Sequence, residues 1–489
     1  MRLKDITKGI KIIKTSVKED TKIEFIASDH RKVKDNTCFV ALKGTKRDGN
    51  DYIYEAIKQG ATVIFTEDAN VCNEKIPYVL VENTREALAK LWASYYGNPS
   101  QGIITVAITG TNGKTSSAYF LYSILQEAKI PCGLISTVDV MINGERVDIK
   151  NECAVCDLCP AMTTPDPEIL YLIYNKMKEK GVKVAVIEAS SHALEQHRLD
   201  GINIDIGAFS NLTSEHLDYH GNMEDYFCAK EKLLKMCKKG IINIDDEYGK
   251  RLYETYKHKS ASTSVLASGD ICAKNVTVSA QGCEYEAVLE GGLAKISSAI
   301  PGKFTVYNSL LALACGVALG INKESIIAGI RNLTKIKGRM ERYKNYPIYI
   351  DYAHTPYATE SIIKAVKEIE KDKKIIVLFG CGGDRDRSKR AEMGKICSNL
   401  ADFTIVTADN PRTEKLNDIL ADIVKGVDKN KSFAVIPNRK DAIKAAVKYM
   451  NDKYALLLLG KGHEEYEIIG QEKRHFSEWE ILDEVLKSD

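Results

Sequence analysis

Residues 108 to 117 read ITGTNGKTSS, with glycines, a lysine and a threonine spaced much as in a phosphate loop. The pattern asks for a glycine six positions before Lys114, and that position holds Ile108. Successive backbone N–H groups in such a turn converge on one anion, with the positive end of a helix behind them. Lys114 would then bring charge to terminal phosphates, and Thr115 a hydroxyl to magnesium. The plain alternative is a helix-capping turn that happens to hold a lysine. Two later clusters carry carboxylates and imidazoles: Glu188 in VIEASSHAL, and Glu215, His216, Asp218 and His220 in NLTSEHLDYHG. A carboxylate suits magnesium, whereas a lone histidine is more often a satisfied surface or core residue. Cys153, Cys156 and Cys159 in CAVCDLC are spaced to hold a metal or iron–sulfur centre if a fourth ligand came from elsewhere. With 13 cysteines in the chain, cysteine is also used freely as a small apolar residue, and this favours ordinary loop thiols.

The elements around these residues are legible in the apolar pattern. GIITVAIT is a buried-strand run, and SSAYFLYSILQEAK reads as a helix capped by its serines. Strand, glycine turn and helix start is the context a phosphate loop needs. VKVAVIEA, IDIGAFSN and GIINID follow as strands between helical stretches, which argues a mostly parallel sheet. Ligands of such sheets sit beyond the carboxyl ends of the strands, where both Lys114 and Glu188 fall. A second series, YPIYIDYA, KKIIVLFG, DFTIVTAD, SFAVIPN and YALLLLG, predicts another α/β domain, after a basic stretch, TKIKGRMERYKN, that suits a linker. TCFVAL, ATVIFT and YVLVEN are strands of a smaller N-terminal unit closed by SYYGNPSQG. The fold class is therefore α/β in three domains, at 1–99, 100–336 and 337–489, with no internal repeat.

Composition limits the partners. Lys plus Arg number 69 against 67 Asp plus Glu, which leaves no large field for nucleic acid or anionic lipid. The first residues carry charge throughout, and no stretch approaches bilayer length, so a soluble, cytoplasmic protein is expected.

Taken in order, TGTNGKTS, TTPD, EASSHAL, QHR, NLTSEHLDYHG, YFCAK, GRMER, DYAHTP, GCGGDRDR, DNPR and GKGHE resemble the Mur ligases, and the resemblance runs from FVALKGTKRDG to the last domain. It implies a small N-terminal UDP-binding domain, a central P-loop ATPase-like domain and a C-terminal Rossmann-like domain. The implied reaction is ATP-driven amide formation. The D-glutamyl carboxylate of UDP-N-acetylmuramoyl-L-alanyl-D-glutamate is phosphorylated, and an amino-acid amine attacks the acyl phosphate.

The same resemblance assigns roles residue by residue. Gly110, Thr111, Asn112, Gly113, Lys114, Thr115, Ser116, Asn308, Arg339 and Asp351 would meet ATP. Thr115, Glu188, His216 and Lys230, the last as a carbamate, would hold Mg2+, and Lys114, Glu188, His216 and Lys230 would be catalytic. Lys232 and Lys235 flank Lys230, so a solvated basic helix face stays open as the alternative. Ser28, His30, Thr45, Lys46, Arg47, Thr163, Thr164, Ser190, Gln196 and Arg198 would bind the UDP-sugar peptide. Arg385, Asp409, Asn410, Pro411, Arg412, Gly460 and Glu464 would bind the amino acid. By the same resemblance DNPR implies meso-diaminopimelate, since ligases of the family that choose it carry this motif; its arginine can pair bidentately with the distal carboxylate and would repel the ammonium of L-lysine. A strand-ending turn is the bland reading of the same four residues. A monomer is expected.

Departures cluster at the nucleotide-peptide side. His30 and Met162 replace a serine and an asparagine, Thr305 stands for another asparagine, and Glu215 for an aspartate. These keep open a related ligase with another acceptor or amino acid. Folylpolyglutamate synthetase shares the loop but lacks the first domain and DNPR. A non-catalytic nucleotide- or metal-sensing protein would have to explain Lys114, Glu188, His216 and Lys230 together, and GCGG after KKIIVLF is a weak dinucleotide match.

Overall fold

The computed structural model describes residues 1–44, 47–73, 75–148, 162–290 and 292–486. Thr45, Lys46 and the CAVCDLC cluster lie outside the described residues. The chain forms two compact units, one of Met1–Thr109, Ile130–Gly207 and Ala229–Lys239, the other of Gly110–Lys129, Ala208–Cys228 and Gly240–Asp489.

In the first unit a five-stranded sheet runs Ile12–Thr15, Tyr78–Val81, Ala61–Thr66, Thr37–Val40, Phe25–Ala27, parallel except for its first pair. Phe39, Ile64, Ile53 and Tyr78 fill its core. The same unit holds strand Val184–Glu188, parallel to and between Ile104–Thr109 and Cys132–Ile135. All five residues of Val184–Glu188 are buried, as a strand covered on both faces requires. Glu188 pairs in register with Ile108, so its carboxylate ends its strand level with a residue two positions before Gly110.

In the second unit, Lys239–Asn243, Ser260–Ser264 and Ile271–Ser279 run parallel, and the last of these turns back antiparallel through Gly282–Leu289 and Gly292–Ser298. Helices Lys303–Ala318 and Lys323–Asn332 accompany helix Lys114–Glu127. At Gly329 the backbone comes close to helix Lys114–Glu127, since a Cβ there would lie 2.4 Å from Ile124 Cα. A six-stranded sheet follows, Glu341–Arg342, Ile348–Asp351, Tyr454–Leu459, Lys374–Phe379, Phe403–Val406, Phe433–Val435, parallel beyond its first pair. Its two faces follow the period of two: Ile375, Val377 and Phe379 enter one core, Ile376 and Leu378 the other. The α/β fold class is thus as read from the sequence, and among the described residues no helix is long and apolar enough to cross a membrane.

Two local expectations change. The serines do not cap the helix after the phosphate loop: it begins at Lys114, and Gly113, with φ of 87°, stands at the N-cap with no side chain to offer. Ser116 falls in the first turn, and the Ser117 N–H donates to the Gly113 carbonyl at 2.9 Å. The stretch read as a linker is packed. Met340, Glu341 and Tyr343 are buried, and the Tyr343 hydroxyl donates to Asp483 at 2.6 Å. Its basic side chains suggested solvent, but the turn at Gly338 sends its apolar residues inward.

Candidate active site

The loop 110–113 is clamped by the residues after strand Ile204–Phe209. Thr111 N–H donates to Asn211 O and Asn112 N–H to Asn211 Oδ1, at 2.8 and 2.9 Å. Ser210 Oγ and Asn211 Nδ2 both donate to Asn112 O, at 2.6 and 3.1 Å. Thr111 Oγ1 shares a hydrogen bond with the Tyr226 hydroxyl at 3.1 Å and accepts from Thr213 N–H at 3.0 Å. Glycine is required twice. A Cβ at Gly110 would sit 1.9 Å from Ser210 Oγ, and one at Gly113 2.3 Å from Asn308 Oδ1. Lys114 Nζ donates to the carbonyls of Gly110 and Thr111, both at 2.8 Å, so the cation lies over its own loop. Thr115 is buried, and its hydroxyl accepts from Arg339 Nη2 at 3.2 Å. The Arg339 guanidinium in turn lies 4.6 Å from the Tyr352 ring centre. Asp351 serves the turn before it, accepting Met340 N–H at 2.6 Å and Ala353 N–H at 2.7 Å. Its burial raises the carboxyl above the usual range despite nearby Arg339.

A cleft of about 480 Å³ in the same unit is lined by Thr213 to His216, Asp218, Tyr352, His354, Arg385, Asp409, Asn410, Arg412, Gly460 and Glu464 among others. Glu215, noted from sequence within NLTSEHLDYHG and as a replaced aspartate, lies largely buried between His354 Nε2 at 3.1 Å and His216 Nε2 at 3.7 Å. Burial alone would raise its carboxyl; His216, His354 and Lys114 outweigh that and hold it well below the usual carboxylate range. His216 itself adopts a left-handed backbone, φ 57°, at the start of helix Leu217–His220.

The other end of the cleft is made where strands Phe403–Val406 and Tyr454–Leu459 deliver DNPR and GKGHE side by side. Arg439 is the tie. Fully buried with Glu478, it donates to Ala408 O at 3.0 Å and Leu459 O at 2.8 Å, the carbonyls just before Asp409 and Gly460. Asn410 Nδ2 donates to Glu464 Oε2 at 2.8 Å. Arg412, at φ 52°, is held by main-chain bonds: its N–H to Ile468 O at 3.0 Å, and Gly470 N–H to its carbonyl at 2.7 Å. Its Nη1 donates to Gly383 O at 2.7 Å, and a guanidinium with five donors still has N–H groups to offer a ligand in the cleft. The GCGGDRDR turn is fixed against DNPR by Gly383 N–H to Asn410 O at 2.9 Å. The buried Arg390 spans Glu414 and Asp422, with Nη2 to Glu414 Oε1 at 2.9 Å and Nη1 to Asp422 Oδ2 at 3.1 Å. Arg385 lines the cleft beside that turn. Pro411 carries the chain from the buried Asn410 to Arg412. Six of the seven residues expected at the amino-acid site therefore line this cleft, Pro411 being the exception.

In the first unit, the fully buried Glu188 accepts from Thr137 N–H at 2.8 Å and from the Thr137 hydroxyl at 3.1 Å. That hydroxyl lies 3.0 Å from Thr163 Oγ1. Thr164 Oγ1 donates to Glu188 O at 2.7 Å and accepts Ser190 N–H at 3.0 Å; Arg198 Nη1 reaches Thr164 O at 2.8 Å and Met162 Sδ at 3.2 Å. Lys230, on helix Met223–Met236, is only 1% exposed, while Lys232 and Lys235 pair at the surface with Glu195 and Glu231. The basic-face alternative thus fits Lys232 and Lys235 but not Lys230. A cavity of about 160 Å³ is lined by Ser28, Lys32, Leu42, Arg85, Trp92, Asp166, Gln196 and Arg198 among others. His30 stacks on Tyr52 with ring centres 4.3 Å apart, 3.7 Å from Glu55, and Arg47 is exposed.

Sequence reasoning named Glu215 within NLTSEHLDYHG but missed His354, Thr137, Arg439 and Lys461 as members of these clusters; DYAHTP and GKGHE contained two of them without singling them out.

Comparison with known proteins agrees with this geometry. Three family models match in chain order: the Mur ligase family catalytic domain at 22–96, the Mur ligase middle domain at 108–316, and the Mur ligase glutamate ligase domain at 338–462. The chain is 40% identical to a UDP-N-acetylmuramoyl-L-alanyl-D-glutamate--2,6-diaminopimelate ligase of Caldanaerobacter subterraneus subsp. tengcongensis, over 99% of both chains. It is 39% identical to one of Clostridium perfringens over the full length of both. A solved structure of such a ligase superposes with a TM-score of 0.68 at 26% identity, covering 100% of this chain and 99% of that one. Folylpolyglutamate synthase of Mycobacterium tuberculosis shares the fold, with a TM-score of 0.64 at 18% identity over 77% of this chain and 92% of its own. The chain belongs to the Mur ligase family.

Proposed function

We propose that this protein is an ATP-dependent amide ligase. It would join meso-2,6-diaminopimelate to the D-glutamyl carboxylate of UDP-N-acetylmuramoyl-L-alanyl-D-glutamate through an acyl phosphate. The observation that carries this reading is the convergence of Arg385, Asp409, Asn410, Arg412, Gly460 and Glu464 on one cleft. Carboxylates there can receive the ammonium of an amino acid, and the Arg412 fork can receive a distal carboxylate. We place the domain boundaries near residues 99 and 336, and take the protein to act as a cytoplasmic monomer.

A carboxylate resists an amine because its oxygen leaves badly, and transfer of the γ-phosphate provides a leaving group. Two anions must then approach, and screening them is the task of the protein. Lys114, now bonded to the Gly110 and Thr111 carbonyls, has a short swing to a phosphate placed in the loop. The loop Gly110 to Thr115 would hold the nucleotide with Asn308 and Arg339, through its helix start rather than the Thr111 and Asn112 amides, which already donate to Asn211. Of the residues read as magnesium ligands, Glu188 offers a fully buried carboxylate and Thr115 a buried hydroxyl, oxygen donors of the kind a hard divalent ion takes, and His216 would add an imidazole. When bound, magnesium would supply positive charge to the phosphate oxygens. Lys230, buried rather than solvated, is where a carbamate would turn a cation into an anionic ligand for it. Thr163, Thr164, Ser190, Gln196 and Arg198, with Ser28 at the cavity, would bind the UDP-sugar peptide.

The test mixes purified protein, ATP, magnesium and the UDP-linked dipeptide with either meso-diaminopimelate or L-lysine, and follows phosphate release and product mass. Phosphate and a tripeptide product with diaminopimelate are expected; no release with either amino acid would sink the proposal. A different acceptor is the second reading, favoured by His30 stacked on Tyr52 and by Met162 against Arg198. Release with diaminopimelate only when another acid replaces the dipeptide would support it.

A further inference from the structure

Behind the three cleft residues Asp409, Asn410 and Glu464 lies Lys461, whose side chain is fully buried. Its Nζ donates to Asn410 Oδ1 at 2.8 Å and to Tyr466 O at 2.7 Å. Asp409 Oδ1 and Glu464 Oε2 lie 3.6 and 3.7 Å from it, and the rings of Tyr466 and Phe476 close over it at 5.8 and 5.6 Å. Such a cation acts on its surroundings in two ways. First, Asn410 Oδ1 receives both this ammonium and Ile468 N–H, at 3.0 Å. The opposite amide orientation would set an NH2 group against two donors, so Nδ2 must face Glu464. Second, two carboxylates share a buried wall of the cleft, and one cation sits between them and the core.

We propose that Lys461 is a positioning residue for the amino-acid substrate: it orients the Asn410 amide and balances Asp409 and Glu464, so that both carboxylates remain acceptors for the substrate ammonium. This rests on the reading of the cleft as the amino-acid site. The surroundings of Glu464 support it. Burial, and then the Asp409 carboxylate, push its carboxyl up, while Lys461, the Asn410 amide and His354 hold it down. Tyr466, whose hydroxyl donates to Glu464 Oε1 at 3.3 Å, and Tyr352 complete the groups facing it. Without Lys461 the balance tips toward a shared proton, and a protonated carboxyl is a poor partner for an ammonium.

The experiment compares wild type, Lys461→Met and the double variant Lys461→Met/Glu464→Gln. In Lys461→Met, Glu464 should hold a proton that the unfolded chain releases at lower pH, so native stability is lost as pH rises through the raised value. The melting deficit against wild type should therefore widen as pH rises above the ordinary glutamate value of about 4.3, and be flat with pH in the double variant, where no carboxyl remains at that position. At pH 7 the KM for diaminopimelate should rise about tenfold in Lys461→Met, shrinking as pH is raised further, with the KM for ATP within about twofold. A pH-independent deficit, or equal rises in both constants, would overturn the proposal. If Lys461→Met does not fold, folding of the double variant supports charge balance, and its failure as well refutes it. Should the wild type ligate no diaminopimelate, the functional reading falls, and the melting comparison alone judges Lys461.

Discussion

Replacing Gly113 by alanine tests the phosphate loop most directly, because its consequences can be worked from two structural features. The residue sits at φ 87°, a left-handed backbone that a side chain disfavours by about 1–2 kcal/mol. The new Cβ would also meet Asn308 Oδ1 at 2.3 Å, more than 1 Å inside ordinary contact. Overpacking of that kind costs about 1–3 kcal/mol, so the sum is roughly 2–5 kcal/mol. For a unit of this size that is a fall in melting temperature of roughly 5–15 °C, readable by thermal denaturation monitored with a dye. The clash and the backbone strain can be separated. Asn308→Ala removes the obstructing amide, so in a Gly113→Ala/Asn308→Ala chain only the strain should remain. The double variant should be less destabilised than the sum of the two single ones by about 1–3 kcal/mol. Isothermal titration should find ATP binding weakened at least about tenfold by Gly113→Ala, since the loop must shift to fit the methyl group. Strict additivity of the two substitutions would refute the packing argument, and unchanged ATP affinity would refute the assignment of the loop.

Other perturbations report on the opposite end of the cleft. Arg412→Ala should raise the KM for diaminopimelate far more than that for ATP, by about 10²-fold; equal effects would count against a specificity role. Arg439→Met leaves Glu478 charged and buried, at a cost of about 3–5 kcal/mol in urea denaturation, and Arg439→Met/Glu478→Leu should recover much of it. Acid sensitivity should map to Glu414. The Arg390 hydrogen bonds lower its carboxyl, so its contribution is present above the ordinary glutamate value of about 4.3 and lost as pH falls through the lower folded value. Arg390→Met should reduce the melting temperature at pH 7 and flatten its fall below pH 4.5; an unchanged acid limb would refute this assignment.

Much of this protein was readable in one dimension because local patterns carried it. TGTNGK lies between a buried strand and a helix, so the loop is recognisable although Ile108 breaks the usual pattern, while the contacts that demand its glycines come from the distant Ser210 and Asn308. Ile108 is a fully buried strand residue paired with Glu188, which is why it is not glycine. The two strand series showed as apolar runs because parallel strands are covered on both faces. Residues 334–345 were misread because polarity was mistaken for exposure, and the helix cap because serine was expected where the backbone itself turns.

The sequence by itself determined the α/β architecture, the phosphate loop and the kinds of residue that gather at DNPR and GKGHE. Only the tertiary structure decided how those residues act on one another. Lys461 meets Asn410 across 51 residues of chain, and Arg439 meets Glu478 across 39. Neither pair has any periodicity to betray it. Burial, which separates Lys230 from Lys232 and Lys235, is likewise set by what packs over a helix. Electrostatics inside a protein depends on distance and desolvation in three dimensions, and a string of residues records neither.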